Sequence, residues 1–143
     1  MPFFLGIDGG GTKTRCLLGD EHTVLATGSG SGCNLLKVGE ACAQESLAAA
    51  IHEACVIAGV SPRHIARTCA GIAGAADDGV ASQIQRLLLD VLGGAIEVLG
   101  DMEIALESAF GGEPGVVVIG GTGSIAYGRN AQKETARVGG WGR

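Results

Sequence analysis

Residues 5–20 read LGIDGGGTKTRCLLGD, and the fold turns on what three consecutive glycines do between two short apolar runs. Leu5 and Ile7 alternate with glycine and Asp8, and Cys16, Leu17 and Leu18 follow the glycines, so the stretch reads as two strands joined by a tight turn. Glycine admits backbone angles closed to other residues and lets a ligand approach main-chain amides. A glycine cluster placed at a strand end therefore suggests a phosphate site.

Outward from this stretch, residues 3–8, 14–20 and 23–30 predict three strands in an antiparallel meander. The period then changes. Leu47, Ala50, Ile51, Ala54, Cys55 and Ala58 recur at helical spacing with Glu45, His52 and Glu53 off that face, and Gly59 followed by Pro62 marks the stop. Residues 67–74 predict a strand ending in glycine, 77–92 a helix, 95–101 a strand ending in an acid, and 102–110 a short helix. Residues 115–128 begin as a continuous apolar run, turn at Gly120 to Gly123 and return as a strand. The predicted order is βββαβαβαββ, an α/β chain with a mixed sheet flanked by helices. Ligands of such sheets gather at the carboxyl ends of the strands. Asp8 with Gly9 to Gly11, Gly71 to Gly74, Asp101, and Gly120 to Gly123 all fall on that rim.

The 143 residues and 46% hydrophobic content suffice for one compact domain with a real core. The 26 glycines follow no three-residue period and read as turns. A net charge of -5 opposes nonspecific binding to nucleic acid or to an anionic membrane, both of which need a basic face. Gly6 and Asp8 interrupt the first apolar run too early for a signal or a membrane span, so a soluble cytoplasmic protein is expected. Cys16, Cys33, Cys42, Cys55 and Cys69 are odd in number and lack C-x-x-C spacing, against a disulfide framework or a zinc site. Most of them are expected to be small buried hydrophobes.

Two common nucleotide motifs fail. A P-loop ending at Lys13-Thr14 would need glycine where Thr12 and Ile7 stand. Gly121-x-Gly123-x-x-Ala126 matches a dinucleotide fingerprint in letters, but a strand rather than a helix follows it. Two hairpins remain, one through DGGGTKT and one through GGTGS, each with amides and a hydroxyl able to grip a polyphosphate. With an acid at a strand end between them, this arrangement resembles the superfamily of actin, heat-shock chaperones and hexokinases, whose lobes have a ribonuclease H-like fold.

Within that superfamily the chain resembles, over essentially its whole length, the N-acetylglucosamine and glucosamine kinases grouped with the BadF/BadG/BcrA/BcrD-type ATPases. The stretches that carry the resemblance are GIDGGGTKT (6–14), SGSGCN (29–34), CAGIAGA (69–75), VLGDMEIAL (98–106), VVVIGGTGS (116–124) and VGGWG (138–142). It implies ATP-dependent phosphorylation of an amino sugar. A sugar hydroxyl is a poor nucleophile that needs a carboxylate to accept its proton, and the resemblance gives that part to Asp101, which also contacts the sugar. The lesser alternative for Asp101 is an N-cap of the helix at 102–110, and one aspartate can be both. Asp8 is implied to orient Mg2+ through water. Gly9, Gly10, Gly11, Thr12 and Lys13 would hold ATP phosphates, with Gly121, Thr122, Gly123 and Ser124 forming the second phosphate loop. Asn34, Thr122, Gly140 and Trp141 would contact the sugar.

Members of this family are roughly twice as long, so residues 1–143 are expected to be the N-terminal lobe of a longer kinase, inactive alone. Arg143 stands where a trypsin-like cut would leave an end. The apolar surface that a second lobe would cover predicts self-association, which allows a homodimer. Two other readings stay open. One is an ATPase activator passing electrons through a shared iron-sulfur cluster, which needs exposed cysteines, whereas Cys16, Cys42, Cys55 and Cys69 are predicted in strand or helix interiors. The other is a noncatalytic sugar-sensing domain, disfavoured because no helix-turn-helix segment precedes Phe3.

Overall fold

The computed structural model describes residues 1–120 and 124–140, which form two compact units, 1–101 and 102–143. The first unit is built on a five-stranded sheet in the order β3-β2-β1-β4-β5. Its strands are β1 (Phe3–Gly9), β2 (Lys13–Gly19), β3 (Val24–Ser31), β4 (Ile65–Ile72) and β5 (Ala95–Gly100). β1, β2 and β3 form the antiparallel meander expected from the glycine hairpin, and β4 and β5 run parallel to β1. Parallel pairing requires a crossover. The crossovers are α1 (Leu35–Val38) with α2 (Glu40–Ala58), and α3 (Asp78–Leu89).

Strict alternation sorts the strands into two faces. Leu5, Ile7 and Gly9 of β1 are buried, and their register partners Thr14, Cys16, Leu18, Thr68, Ala70 and Ile72 lie on the same side. Ala43, Leu47, Ala50, Ile51 and Ala54 of α2 and Ile84 and Leu88 of α3 join these residues in a single core. The opposite face carries Gly6, Asp8, Arg15, Leu17, Arg67 and Cys69, all exposed. Both long helices of this unit therefore pack on one face of the sheet.

Contact between α2 and β3 is made backbone to backbone. A Cβ on Gly28 would stand 2.0 Å from the Ala50 carbonyl oxygen, and one on Gly30 2.4 Å from that of Ser46. Glu53 of α2 reaches back to accept from the Ser29 amide at 2.7 Å, which covers part of the open edge of β3. The helix stops at Gly59, whose φ of 67° no side-chain-bearing residue adopts easily. α3 starts where Asp77 accepts from the Val80 amide at 3.0 Å. Its other end is held by the Arg63 guanidinium, which donates to the carbonyls of Leu89, Asp90 and Leu92.

The second unit holds most of α4 (Asp101–Phe110) and a three-stranded antiparallel meander of β6 (Gly115–Gly120), β7 (Ser124–Arg129) and β8 (Thr135–Gly139). Arg129 joins helix to sheet, pairing with Glu107 at 2.5 Å and donating to the Glu113 carbonyl at 3.1 Å. The α/β class and the flanked mixed sheet are as expected from the sequence. Besides a 3-10 turn at Pro62–His64, two elements add to the expected order. α1 is a single turn, too short to show a period, and β8 is exposed at Thr135, Ala136, Arg137 and Val138, so it carries no burial alternation. Among the described residues no helix is long and apolar enough to cross a membrane.

Candidate active site

Register brings the carboxyl ends of β1, β4 and β5 into one row, Gly9 beside Ile72 and Ile72 beside Gly100. Just beyond that row lie the glycine loop, the turn at Ala73 and Gly74, and Asp101, the exposed residue that opens α4. At about 4.8 Å per strand, the ends of β1 and β5 stand roughly 10 Å apart. Asp8, Gly9 to Lys13 and Asp101 thus share one edge of the first unit.

Hydrogen bonding gives the loop a polarity. The Gly10 amide donates to the Lys13 carbonyl at 2.9 Å and closes a hairpin whose tip is Gly11-Thr12. The Gly9 carbonyl accepts from Ala73 N–H at 2.7 Å, and the Gly10 carbonyl from Cys33 N–H at 3.0 Å. The amides of Gly11 and Thr12 find no acceptor among the described residues. With carbonyls tied inward and two amides left at the tip, the loop offers donors to an anion.

None of Gly9, Gly10 and Gly11 has a positive φ, and it is at Gly9 that close approach rather than an unusual angle requires glycine. A Cβ on Gly9 would meet Cys33 Sγ at 2.3 Å and Ile72 Cδ1 at 2.6 Å, and one on Gly32 would meet the Gly11 carbonyl oxygen at 2.3 Å. Residues 32–34 are thereby wedged against the loop. Thr14, the second threonine of the motif, is buried, and its hydroxyl donates to the Ser31 carbonyl at 2.7 Å. It holds β2 to β3 and does not face a ligand.

Asn34 follows that wedge. Its Oδ1 accepts from Leu36 N–H at 3.1 Å and caps α1, and a Cβ on Gly74 would stand 3.4 Å from the same oxygen. The side chain therefore lies between the β3 and β4 ends, with its Nδ2 group uncommitted among the described residues and part of its acceptor capacity used by the cap. Asp8 is exposed on the opposite face of the sheet from Gly9, level with Arg15 and Gly71. No group of three or more His, Cys, Asp or Glu side chains able to hold a metal occurs among the described residues.

Gly121, Thr122, Gly123 and Trp141 lie outside the described residues. Ser124 opens β7 opposite Gly120, and its carbonyl accepts from Gly140 N–H at 2.8 Å, so those two candidates meet within the second unit. Sequence reasoning missed Lys37, whose Nζ would stand 3.2 Å from a Cβ on Gly11. Its one signal was its place, one helical turn after Asn34. Most of the cysteines, Cys16, Cys33 and Cys55, are buried as expected, whereas Cys42 and Cys69, expected in element interiors, are exposed because they fall on the outer sides of α2 and β4. Burial pushes the Cys33 thiol up, against a smaller lowering by the Thr14 side chain.

Residues 5–143 match the BadF/BadG/BcrA/BcrD ATPase family. The chain belongs to that family. It is 36% identical to the N-acetylmuramic acid/N-acetylglucosamine kinase of Clostridium acetobutylicum over 145 residues, covering 99% of this chain and 47% of that protein. It is 33% identical to the N-acetyl-D-glucosamine kinase of Dictyostelium discoideum over 154 residues, covering 97% of the chain and 47% of the relative. A crystal structure described as an N-acetylglucosamine kinase from Chromobacterium violaceum superposes with a TM-score of 0.76 at 25% identity, over 99% of this chain and 50% of that one. The chain thus spans about half the length of the relatives it matches, and its fold is that of the actin-like ATPase kinases.

Proposed function

We propose that this chain is the N-terminal, loop-bearing portion of an ATP-dependent amino-sugar kinase acting on N-acetylglucosamine or a close relative. The observation that carries the reading is the shared strand-end row, which sets the amide-rich tip of the glycine loop and the carboxylate of Asp101 on one edge. Both named kinase relatives cover almost the whole chain, which supports the same reaction class.

In this reading Gly9 and Gly10 shape the loop so that the free amides of Gly11 and Thr12, with the Thr12 hydroxyl and the Lys13 ammonium, hold phosphate oxygens, and Gly121, Thr122, Gly123 and Ser124 supply a second set. Asp101 accepts the proton of the sugar hydroxyl as that oxygen attacks the terminal phosphorus of ATP and ADP departs. Asn34, Asp101, Thr122, Gly140 and Trp141 position the sugar. Asp8 fits a magnesium ion that keeps most of its waters, because a single exposed carboxylate at a strand end adds one hard oxygen without building a cage. Bound magnesium would neutralise charge developing on the phosphates. None of the five cysteines forms a disulfide, which fits the reducing cytoplasm.

The test is a calorimetric titration of the chain with N-acetylglucosamine, glucosamine, glucose and N-acetylmuramic acid. Selective heat with an amino sugar, weakened at least tenfold in Asn34→Ala, is the expected result. Equal heats from glucose and the amino sugars, or binding indifferent to Asn34→Ala, would remove the sugar site from this part of the molecule.

A further inference from the structure

Lys37 belongs to none of the stretches that carry the family resemblance, yet the end of its side chain lies across the first loop. A Cβ on Gly11 would stand 3.2 Å from Lys37 Nζ, 3.5 Å from Cδ and 3.8 Å from Cε. Lys37 is exposed, and two contacts fix the backbone that carries it. Cys33 N–H donates to the Gly10 carbonyl, fixing the segment before α1 to the loop, and the Asn34 cap fixes the start of α1. Lys37 N–H then donates to the Asn34 carbonyl at 2.9 Å, which places the residue one turn above the loop.

A lysine near a helix C-terminus ordinarily complements the free carbonyls there. That account is weak for α1, a single turn whose Leu35 carbonyl already accepts from Gly39 N–H. Among the described residues the Lys37 ammonium has neither a carboxylate nor a carbonyl partner. It stands instead beside two amides that also lack acceptors, those of Gly11 and Thr12. Three donors, one of them charged, thus lie at the tip of one loop, beside the space left by the missing side chain of Gly11. Such a set suits an oxyanion.

We propose that Lys37 is a phosphate-binding residue of the first loop, its ammonium meeting a nucleotide phosphate oxygen alongside the Gly11 and Thr12 amides. The inference rests on reading this loop as a phosphate loop. It adds a cation that reaches the tip from the packed face of the sheet, whereas Lys13 lies on the open face with Arg15.

The experiment follows backbone amide resonances of the chain during titration with inorganic tripolyphosphate, and in a separate arm with N-acetylmuramic acid, whose carboxylate is the competing oxyanion. Tripolyphosphate is expected to shift Gly11 and Thr12. Lys37→Met should weaken it about tenfold, as loss of a hydrogen bond to a charged group does. Lys37→Arg should retain most of the affinity, and the wild-type affinity should fall more steeply with salt than that of Lys37→Met. Lys133→Met, in the second unit, controls for net charge and should bind like wild type.

A Lys37→Met chain that binds tripolyphosphate within twofold of wild type overturns the role of Lys37 and leaves the loop reading standing. Absence of any Gly11 or Thr12 shift in the wild type overturns both. Weakening confined to the N-acetylmuramic acid arm overturns the phosphate assignment in favour of a sugar carboxylate.

Discussion

Cys16 is fully buried in the core, where a thiolate could not be solvated, and burial pushes its thiol from 9.0 up to about 12, with Cys55 and Cys33 nearby adding to the rise. Below pH 9 the thiol is neutral whether the chain is folded or unfolded, so its burial contributes fully to stability. Between pH 9 and about 12 the unfolded thiol ionises and the folded one does not, so stability falls by up to about 1.4 kcal/mol per pH unit from this group. Denaturant midpoints measured from pH 7 to 11 should decline less in Cys16→Ala than in wild type; parallel declines would show that the thiol ionises in place. At this scale the sequence was a partial guide. Asp8 and Asp101 could be placed at strand ends because a carboxylate after an apolar run is visible in letters. The inward bonds of the loop carbonyls and the reach of Lys37 could not, since both depend on residues 32–37 being folded back on the loop.

Between elements, the tightest fit is that of α2 on β3, and glycine makes it. Gly28 faces the helix backbone with a Cβ position 2.0 Å from the Ala50 carbonyl oxygen, whereas Gly6 on the open face of β1 has nothing within 4 Å of its own. Gly28→Ala must push helix from strand and is expected to cost about 3 kcal/mol. Gly6→Ala should stay within about 0.5 kcal/mol of wild type. Thermal and urea denaturation of the two variants checks the contrast, and equal losses would mean that α2 does not lie on β3 as described. Both glycines look alike in sequence, where each reads as strand punctuation. Helix periods, by comparison, were legible: the apolar face running from Leu47 to Cys55 and the Gly59 stop of α2 were readable because burial and capping act within a few turns. α1 was not, because a one-turn helix held by an Asn34 cap has no period to read.

On the scale of the molecule, the two units are stabilised unequally. Every residue of the main core, from Leu5 to Leu92, belongs to the first unit. In the second, Leu106 is the fully buried large side chain among the described residues, while Val116, Val118 and Val138 are exposed by 62%, 69% and 73%. A three-stranded sheet with so little covered apolar surface has a small free energy of opening. The meander β6-β7-β8 repeats the antiparallel plan of β1-β2-β3. That repetition was half visible in the sequence, since IGGTGS echoes the first loop, but β8 has four exposed residues out of five and gave no pattern. Native-state hydrogen exchange should therefore divide the chain. Amides of β1 and β4, which sit in the middle of the first sheet with neighbours on both sides, should exchange only through global opening. Those of β6 and β8, both at edges of the second sheet, should exchange through a local opening that low denaturant hardly changes. Protection equal in both sheets would instead require the second unit to draw on stabilisation beyond its own small core, and self-association through its exposed valines would then be the first source to examine, by repeating the exchange across a range of protein concentrations.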